Sequence, residues 1–254
     1  MVRAVPRAGP PPRGSDGGGT PEAYFAGLYA ASDDPWHLAE RWYERRKYAL
    51  TLAMLGRPRY RRAFEPGCSV GVLTALLAER CDELLAADRV EKATVLARAR
   101  LRGRANVNVV RWALPEWPAG PFDLVVLSEV GYYFDAGVWR GIVDAAVESL
   151  EPDGELVAVH WRHPVAEHRQ RGDEVHQTMA DHPSLQRLAR HEEVDVLLDL
   201  YGRRPLAAGS VADREGLLDR PGSPEQHEPE HPDGRDRHRE EQLDDDGDPD
   251  RLQR

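Results

Sequence analysis

Cysteine is scarce: the 254 residues contain two, Cys68 and Cys81, one read in a turn and one at a helix end. With no second pair, neither a disulfide framework nor a zinc site is indicated. Long apolar runs are also missing, since none approaches the roughly 18 residues that a membrane-crossing helix needs. The opening MVRAVPRAGPPPRGSDGGGT is positively charged, but its Pro and Gly interrupt any apolar stretch of signal-peptide length. These absences point to a soluble protein of a reducing compartment, the cytoplasm. A clustered basic face is lacking too. The formal net charge is −10, and residues Asp219 to Arg254 alone hold 13 acidic against 6 basic side chains. The acidic surplus therefore belongs mostly to a tail, and nothing supplies the grouped Lys and Arg that nucleic acid phosphates require.

A 41% hydrophobic content is enough for one sizeable core. Residues 1–20 are rich in Pro, Gly and Arg without apolar periodicity, and such a segment cannot offset its ordering entropy by burial, so it is expected to be disordered. The same holds for the Asp-, Glu-, His- and Pro-rich residues 219–254. Between them, residues 21–218 form the expected domain. It opens with two helices, the second starting at Pro35 behind the capping residues Asp33 and Asp34. Trp36, Trp42, Tyr43, Arg46, Lys47 and Tyr48 make this region more aromatic and basic than packing requires. It reads either as a helix with a solvated charged face or as a lid over a ligand.

The rest of the chain is organised around RRAFEPGCSVGVLTALLAERCDELLAADRVE. It reads as strand, glycine turn, helix and second strand, with Asp88 closing that strand 21 residues beyond Gly67. Glycine in the turn tolerates positive φ and lets backbone amides approach a ligand. An acid about 20 residues later, at the next strand tip, is where α/β nucleotide folds bond the ribose hydroxyls. The dinucleotide pattern G-x-G-x-x-G is not met, because Ser69 stands at the second glycine and Val72 at the third. Leu73 and Thr74 follow Gly71 where a phosphate-binding loop would carry Lys.

Downstream, Val107 to Arg111 reads as a third strand and Leu124 to Leu127 as a fourth, apolar throughout as parallel strands covered on both faces are. Leu156 to Val159 reads as a fifth. Ligands of open α/β sheets lie beyond the strands' carboxyl ends, so Ser128, Glu129, Tyr132 and Tyr133 should face the substrate. His160, Trp161, Arg162 and His163 should stand at the tip of the fifth strand. Two last strands, Gln186 to Glu192 and Asp195 to Tyr201, suggest a hairpin at one sheet edge.

An acid, G-x-x-x-G and a second acid resemble the first two motifs of the class I S-adenosylmethionine (SAM) methyltransferases. The resemblance implies a Rossmann-like α/β fold: a seven-stranded, mostly parallel sheet with a terminal antiparallel hairpin and an N-terminal helical lid. It implies a cofactor site at Glu65, Gly67, Cys68, Ser69, Gly71, Asp88 and Arg89, with Ser128 nearby and Tyr43 and Arg46 (or Lys47) reaching down from the lid. In that family the loop after the third strand carries an acid for the adenine amino group. Here it reads Arg111, Trp112, Ala113, Leu114, Pro115, so Trp112 would stack on the ring or simply pack. For an amine acceptor, which must lose a proton, His160 and His163 are the expected bases, with Glu129 and Tyr132 orienting the amine. Trp161 suits the apolar face of a sugar.

The segments DPW, WYERRKYALTLAML, FDLVVLSEVGYYF and LVAVHWRHP, taken with the glycine stretch, resemble more closely the nodulation methyltransferase (NodS-like) family. That likeness, from about Asp34 to about Leu218, implies SAM-dependent N-methylation of an amino sugar or chitooligosaccharide-like small molecule. Neither a metal, nor a membrane, nor a nucleic acid partner is expected. An NAD(P)-dependent oxidoreductase and a SAM-binding protein without turnover are the alternatives.

Overall fold

The computed structural model describes residues 18–206 and 209–218. The chain runs α1 (Glu22–Ala31), α2 (Trp42–Met54), β1 (Tyr60–Pro66), α3 (Val72–Leu77), β2 (Cys81–Asp88), α4 (Glu91–Arg100), β3 (Val107–Arg111) and β4 (Phe122–Ser128). It continues through α5 (Ala136–Ser149), β5 (Leu150–Trp161), α6 (Gly172–Ala180), β6 (Leu185–Glu192), β7 (Val196–Arg203) and a short α7 (Val211–Arg214). The strands form one seven-stranded sheet in the order β3-β2-β1-β4-β5-β7-β6. Strands β1 to β5 pair in parallel, whereas β7 runs antiparallel to both β5 and β6. The expected Rossmann-like sheet with an antiparallel terminal hairpin is therefore present.

Physical causes are local. Phe122 to Leu127 are all buried because helices cover both faces of β4. One core, with Phe64, Phe122, Leu127, Trp139 and Ile142, lies under α5 and α6. A second, with Tyr60, Leu77, Leu84, Val126 and Leu198, lies under α2 and α3. β6 is an edge strand, and its exposed Arg187 and Arg190 keep it from offering an apolar edge. Strand order reverses between β1 and β4, so a crevice opens beyond their carboxyl ends. Among the described residues no helix is long and apolar enough to cross a membrane.

Two expectations are corrected here. α2 begins at Trp42, not Pro35. The Asp34 carboxylate instead accepts from the Leu38 and Ala39 N–H groups at 2.9 and 3.0 Å, closing a turn, and His37 at φ +58° interrupts helical geometry. Gly18 to Thr20, counted with the disordered leader, are ordered. Gly19 bridges Phe134, and the Thr20 N–H donates to the Tyr133 carbonyl at 2.8 Å. Thr20 Oγ1 donates to the Glu167 carbonyl at 3.0 Å, and Arg89 reaches the Thr20 carbonyl at 2.9 Å. Long-range backbone pairing holds this stretch, and composition carries no signal for that. The rest of the expected leader and the acidic tail, residues 1–17 and 219–254, lie outside the described residues.

Candidate active site

A cleft of about 1150 Å³ of empty volume sits at the switch point. Its floor is the turn after β1, where three residues take left-handed backbone: Gly67 at φ +75°, Ser69 at +51° and Gly71 at +77°. At Gly67 a Cβ would fall 2.5 Å from Val130 Cγ1, so glycine is needed for space as well as for φ. The Gly67 and Cys68 N–H groups donate to the Ala87 carbonyl at 2.7 and 2.9 Å, which fastens the turn to β2. Gly71 does not line the cleft; it lets the start of α3 pack on Ala97.

Two acids flank this floor. Asp88 is 8% exposed, and its oxygens accept from the Ser69 N–H at 3.0 Å and the Val90 N–H at 2.9 Å. Burial lifts its carboxyl to about 6 in spite of those donors. Glu65, at the end of β1, is more deeply enclosed, and burial together with the Asp88 charge pushes it up to about 8. The nearby Thr74 hydroxyl pulls the other way, but neither its Oγ1 nor Glu65 Oε2 completes a hydrogen bond within the protein. A buried carboxyl oxygen left unmatched is costly unless a ligand donor meets it.

The opposite wall comes from β4 and α2. Glu129 follows β4 at φ +58°, a strained left-handed conformation for a residue with a side chain. Its N–H is tied to the Val159 carbonyl at 2.8 Å. Lys47 Nζ donates to Glu129 Oε1 at 3.0 Å and lies 2.8 Å from Glu44 Oε2, so a nearly buried cation is held between two carboxylates. Charge from both acids keeps the lysine protonated against the pull of burial. Tyr132 donates its phenol proton to Glu129 Oε2, and the ring of His168 stacks on Tyr132 at 3.6 Å. Burial drops His168 to about 4, so its imidazole is neutral. Tyr29, whose hydroxyl lies 2.6 Å from Ser69 Oγ, closes the cleft from α1 along with Phe25 and Trp36.

Glu65, Gly67, Cys68, Ser69, Asp88, Arg89, Trp112, Ser128, Glu129 and Tyr132 thus line one cavity. Five expected site residues do not: Gly71, which packs on Ala97, and four others. His160 is fully buried behind the wall: its Nε2 accepts from the Gly131 N–H at 3.0 Å and its Nδ1 lies 3.1 Å from His176 Nε2. With both ring nitrogens occupied and no exposure to the cleft, it cannot take a proton from an acceptor. His163 points outward and pairs with Asp195 at 2.7 Å. Arg46 is turned away to a bidentate pair with Glu193 at 2.8 and 2.6 Å. Tyr43 sits beside the cleft, edge-on to Trp161, with its hydroxyl buried and without a partner. The helix turns Lys47, one residue on from Arg46, into the site instead.

Sequence reasoning missed Glu44, Tyr29 and His168, whereas Tyr48, read as part of a lid, does line the cleft. The i,i+3 spacing of Glu44 and Lys47 was a usable signal. The seat of His168 on Tyr132 depends on the path of the loop after β5 and left no mark in sequence.

The family model of nodulation protein S (NodS) matches residues 28–177. Nodulation protein S of Rhizobium tropici is 34% identical over 130 residues, half of this chain and 55% of that protein. Nodulation protein S of Bradyrhizobium diazoefficiens is 32% identical over 130 residues and 62% of its length. The chain thus aligns with less than two thirds of the length of each of these curated relatives. Among solved structures, the N-methyltransferase NodS from Bradyrhizobium japonicum WM9, in complex with S-adenosyl-L-homocysteine (SAH), superposes with a TM-score of 0.64 at 25% identity, covering 71% of this chain and 97% of that one. A candidate methyltransferase from Pseudomonas syringae is 50% identical with a TM-score of 0.58, covering 64% of this chain and all of that one. Sheet order, the glycine turn and the family match agree: the fold is that of the class I SAM-dependent methyltransferases, and the chain belongs to the NodS family.

Proposed function

We propose that this chain transfers a methyl group from SAM to the nitrogen of an amino sugar or a chitooligosaccharide-like small molecule. One observation carries the reading: acids at the ends of β1, β2 and β4 meet in a single cleft, and the most buried of them, Glu65, keeps an oxygen without a partner. These residues suit the cofactor. Asp88 would take the ribose hydroxyls, the Gly67 to Ser69 backbone would line the nucleoside, Glu65 would receive the ammonium, and Trp112 would cover the adenine where the usual acid is missing. Bound there, SAM supplies an electrophilic methyl group on a sulfonium.

The remaining work falls to the chain's own groups. Methyl transfer is an in-line displacement, so alignment dominates, with effective molarities of about 10⁵ M or more available to well-oriented reactants. Tyr132 spends its proton on Glu129, which leaves the phenol oxygen free to accept an N–H of the amine. The amine proton can pass to that oxygen while the phenol proton passes to Glu129 Oε2, leaving the nitrogen neutral. Lys47 holds the carboxylate in position throughout.

Calorimetry with SAH and a mass-resolved methylation assay on glucosamine-ended chitooligosaccharides test the reading. SAH binding and a gain of one methyl on the terminal amine are expected. A chain that binds no SAH is not this enzyme. Binding without turnover on any amine would leave only the cofactor half of the reading standing.

A further inference from the structure

Behind the cleft wall lies a buried chain that the proposed chemistry does not use. The Gly131 N–H donates to His160 Nε2 at 3.0 Å, His160 Nδ1 lies 3.1 Å from His176 Nε2, and His176 Nδ1 lies 2.7 Å from Asp199 Oδ2. No side chain in it is more than 2% exposed. The Tyr201 hydroxyl adds a bond to Asp199 Oδ2 at 3.2 Å. Among the described residues no group of His, Cys, Asp and Glu is arranged to hold a metal ion, so ligation does not account for the cluster.

The two ends leave one assignment of protons. A backbone N–H can only donate, so His160 Nε2 carries no proton, and the neutral ring must carry it on Nδ1. His160 then donates to His176 Nε2, and His176 carries its own proton on Nδ1 for Asp199. Burial disfavours the charged form of His160, in keeping with a neutral ring. Because the cleft end of the chain is an amide and not a titratable group, no proton can leave through it. What the chain can transmit is position. Gly131 begins the 3-10 turn Gly131–Tyr133 that directly follows Glu129 and Val130 and carries Tyr132. The turn is tightly boxed, since a Cβ on Gly131 would fall 2.5 Å from Val175 Cγ1 and 3.0 Å from His160 Nε2.

We propose that His160, oriented by His176 and Asp199, is a positioning residue that sets the Glu129 and Tyr132 pair in the cleft by anchoring the Gly131 amide. This rests on the methyltransferase reading above.

Two substitutions separate anchoring from mere filling. In His160→Gln the amide oxygen reaches the place of Nε2 and still accepts from Gly131. In His160→Asn the side chain ends near the place of Nδ1, keeps a donor for His176, and leaves the Gly131 N–H without an acceptor. His160→Asn should lower kcat by about 10- to 100-fold, the usual cost of misplacing a reacting group, with SAH affinity unchanged by calorimetry. His160→Gln should recover most of that loss. Equal turnover in the two variants, or loss of SAH affinity in step with kcat, would overturn the proposal. If neither variant folds, the wild-type protein decides: imidazole ¹⁵N NMR should show His160 neutral with its proton on Nδ1, and a proton on Nε2 would refute the anchor. Should wild type neither bind SAH nor methylate an amine, the methyltransferase reading fails, and the NMR signature still reports on the hydrogen-bonded chain.

Discussion

Replacing Asp88 with Asn should separate cofactor affinity from stability. The carboxylate accepts the Ser69 and Val90 N–H groups, one on each oxygen. Asn offers a single oxygen, so one buried donor is orphaned at a cost of about 1–3 kcal/mol. Against this, the wild-type protein keeps a buried charge whose pKa has risen from 3.8 to about 6. Ionising it at neutral pH costs about 3 kcal/mol, which Asn avoids. The two effects nearly cancel, so thermal midpoints at pH 7 should lie close together. Affinity has no such compensation. Each hydroxyl-to-carboxylate hydrogen bond contributes about 1.5–3 kcal/mol, so loss of one or two should weaken SAH binding by about 10-fold or more. A raised carboxyl stabilises the fold below its usual range, and that contribution disappears as pH climbs through about 6. Asp88→Asn should therefore gain stability relative to wild type over that interval. Wild-type SAH affinity should fall below pH 6 as Asp88 takes up a proton, and this component should be missing in the variant. Calorimetry from pH 5 to 8 with matched thermal melts reads both quantities. Unchanged SAH affinity in Asp88→Asn, or a loss matched by an equal loss of stability, would refute the assignment of Asp88 to the ribose.

Glu65→Gln should gain stability over wild type as pH rises from about 4.5 to 8, because ionisation of the raised Glu65 carboxyl then burdens only the wild-type fold; thermal melts across that interval check it. Lys47→Met leaves Glu44 and Glu129 facing each other without their cation and should cost about 3–5 kcal/mol in urea denaturation. Arg46→Met, beside it in sequence but outside the cleft, should leave SAH affinity intact. Tyr132→Phe removes the phenol oxygen between amine and carboxylate and should reduce kcat by about 10²-fold or more at unchanged SAH affinity. Gly71→Ala, forced into φ +77° and against Ala97, should lose about 1–2 kcal/mol of stability, measurable by the same denaturation.

The sequence by itself determined the sheet and the floor of the site. The continuous apolar run Leu124 to Leu127 marked a strand covered on both faces, as β4 is. Paired glycines followed by Asp88 at a fixed spacing have few other uses, because φ above zero and a strand-tip acid are local requirements written in residue type. Tertiary structure decided the wall. Whether Arg46 or Lys47 enters the cleft depends on the rotation of α2 about its axis, set by distant partners such as Glu129 and Glu193. Whether His160 faces a ligand or the core depends on which side of β5 the helix α6 covers, since alternate residues of a strand point to opposite faces. His160 and His176 lie 16 residues apart in sequence, and His176 and Asp199 lie 23 apart. Only the pairing of β5 with β7 and the packing of α6 bring them together, and residue type alone records neither.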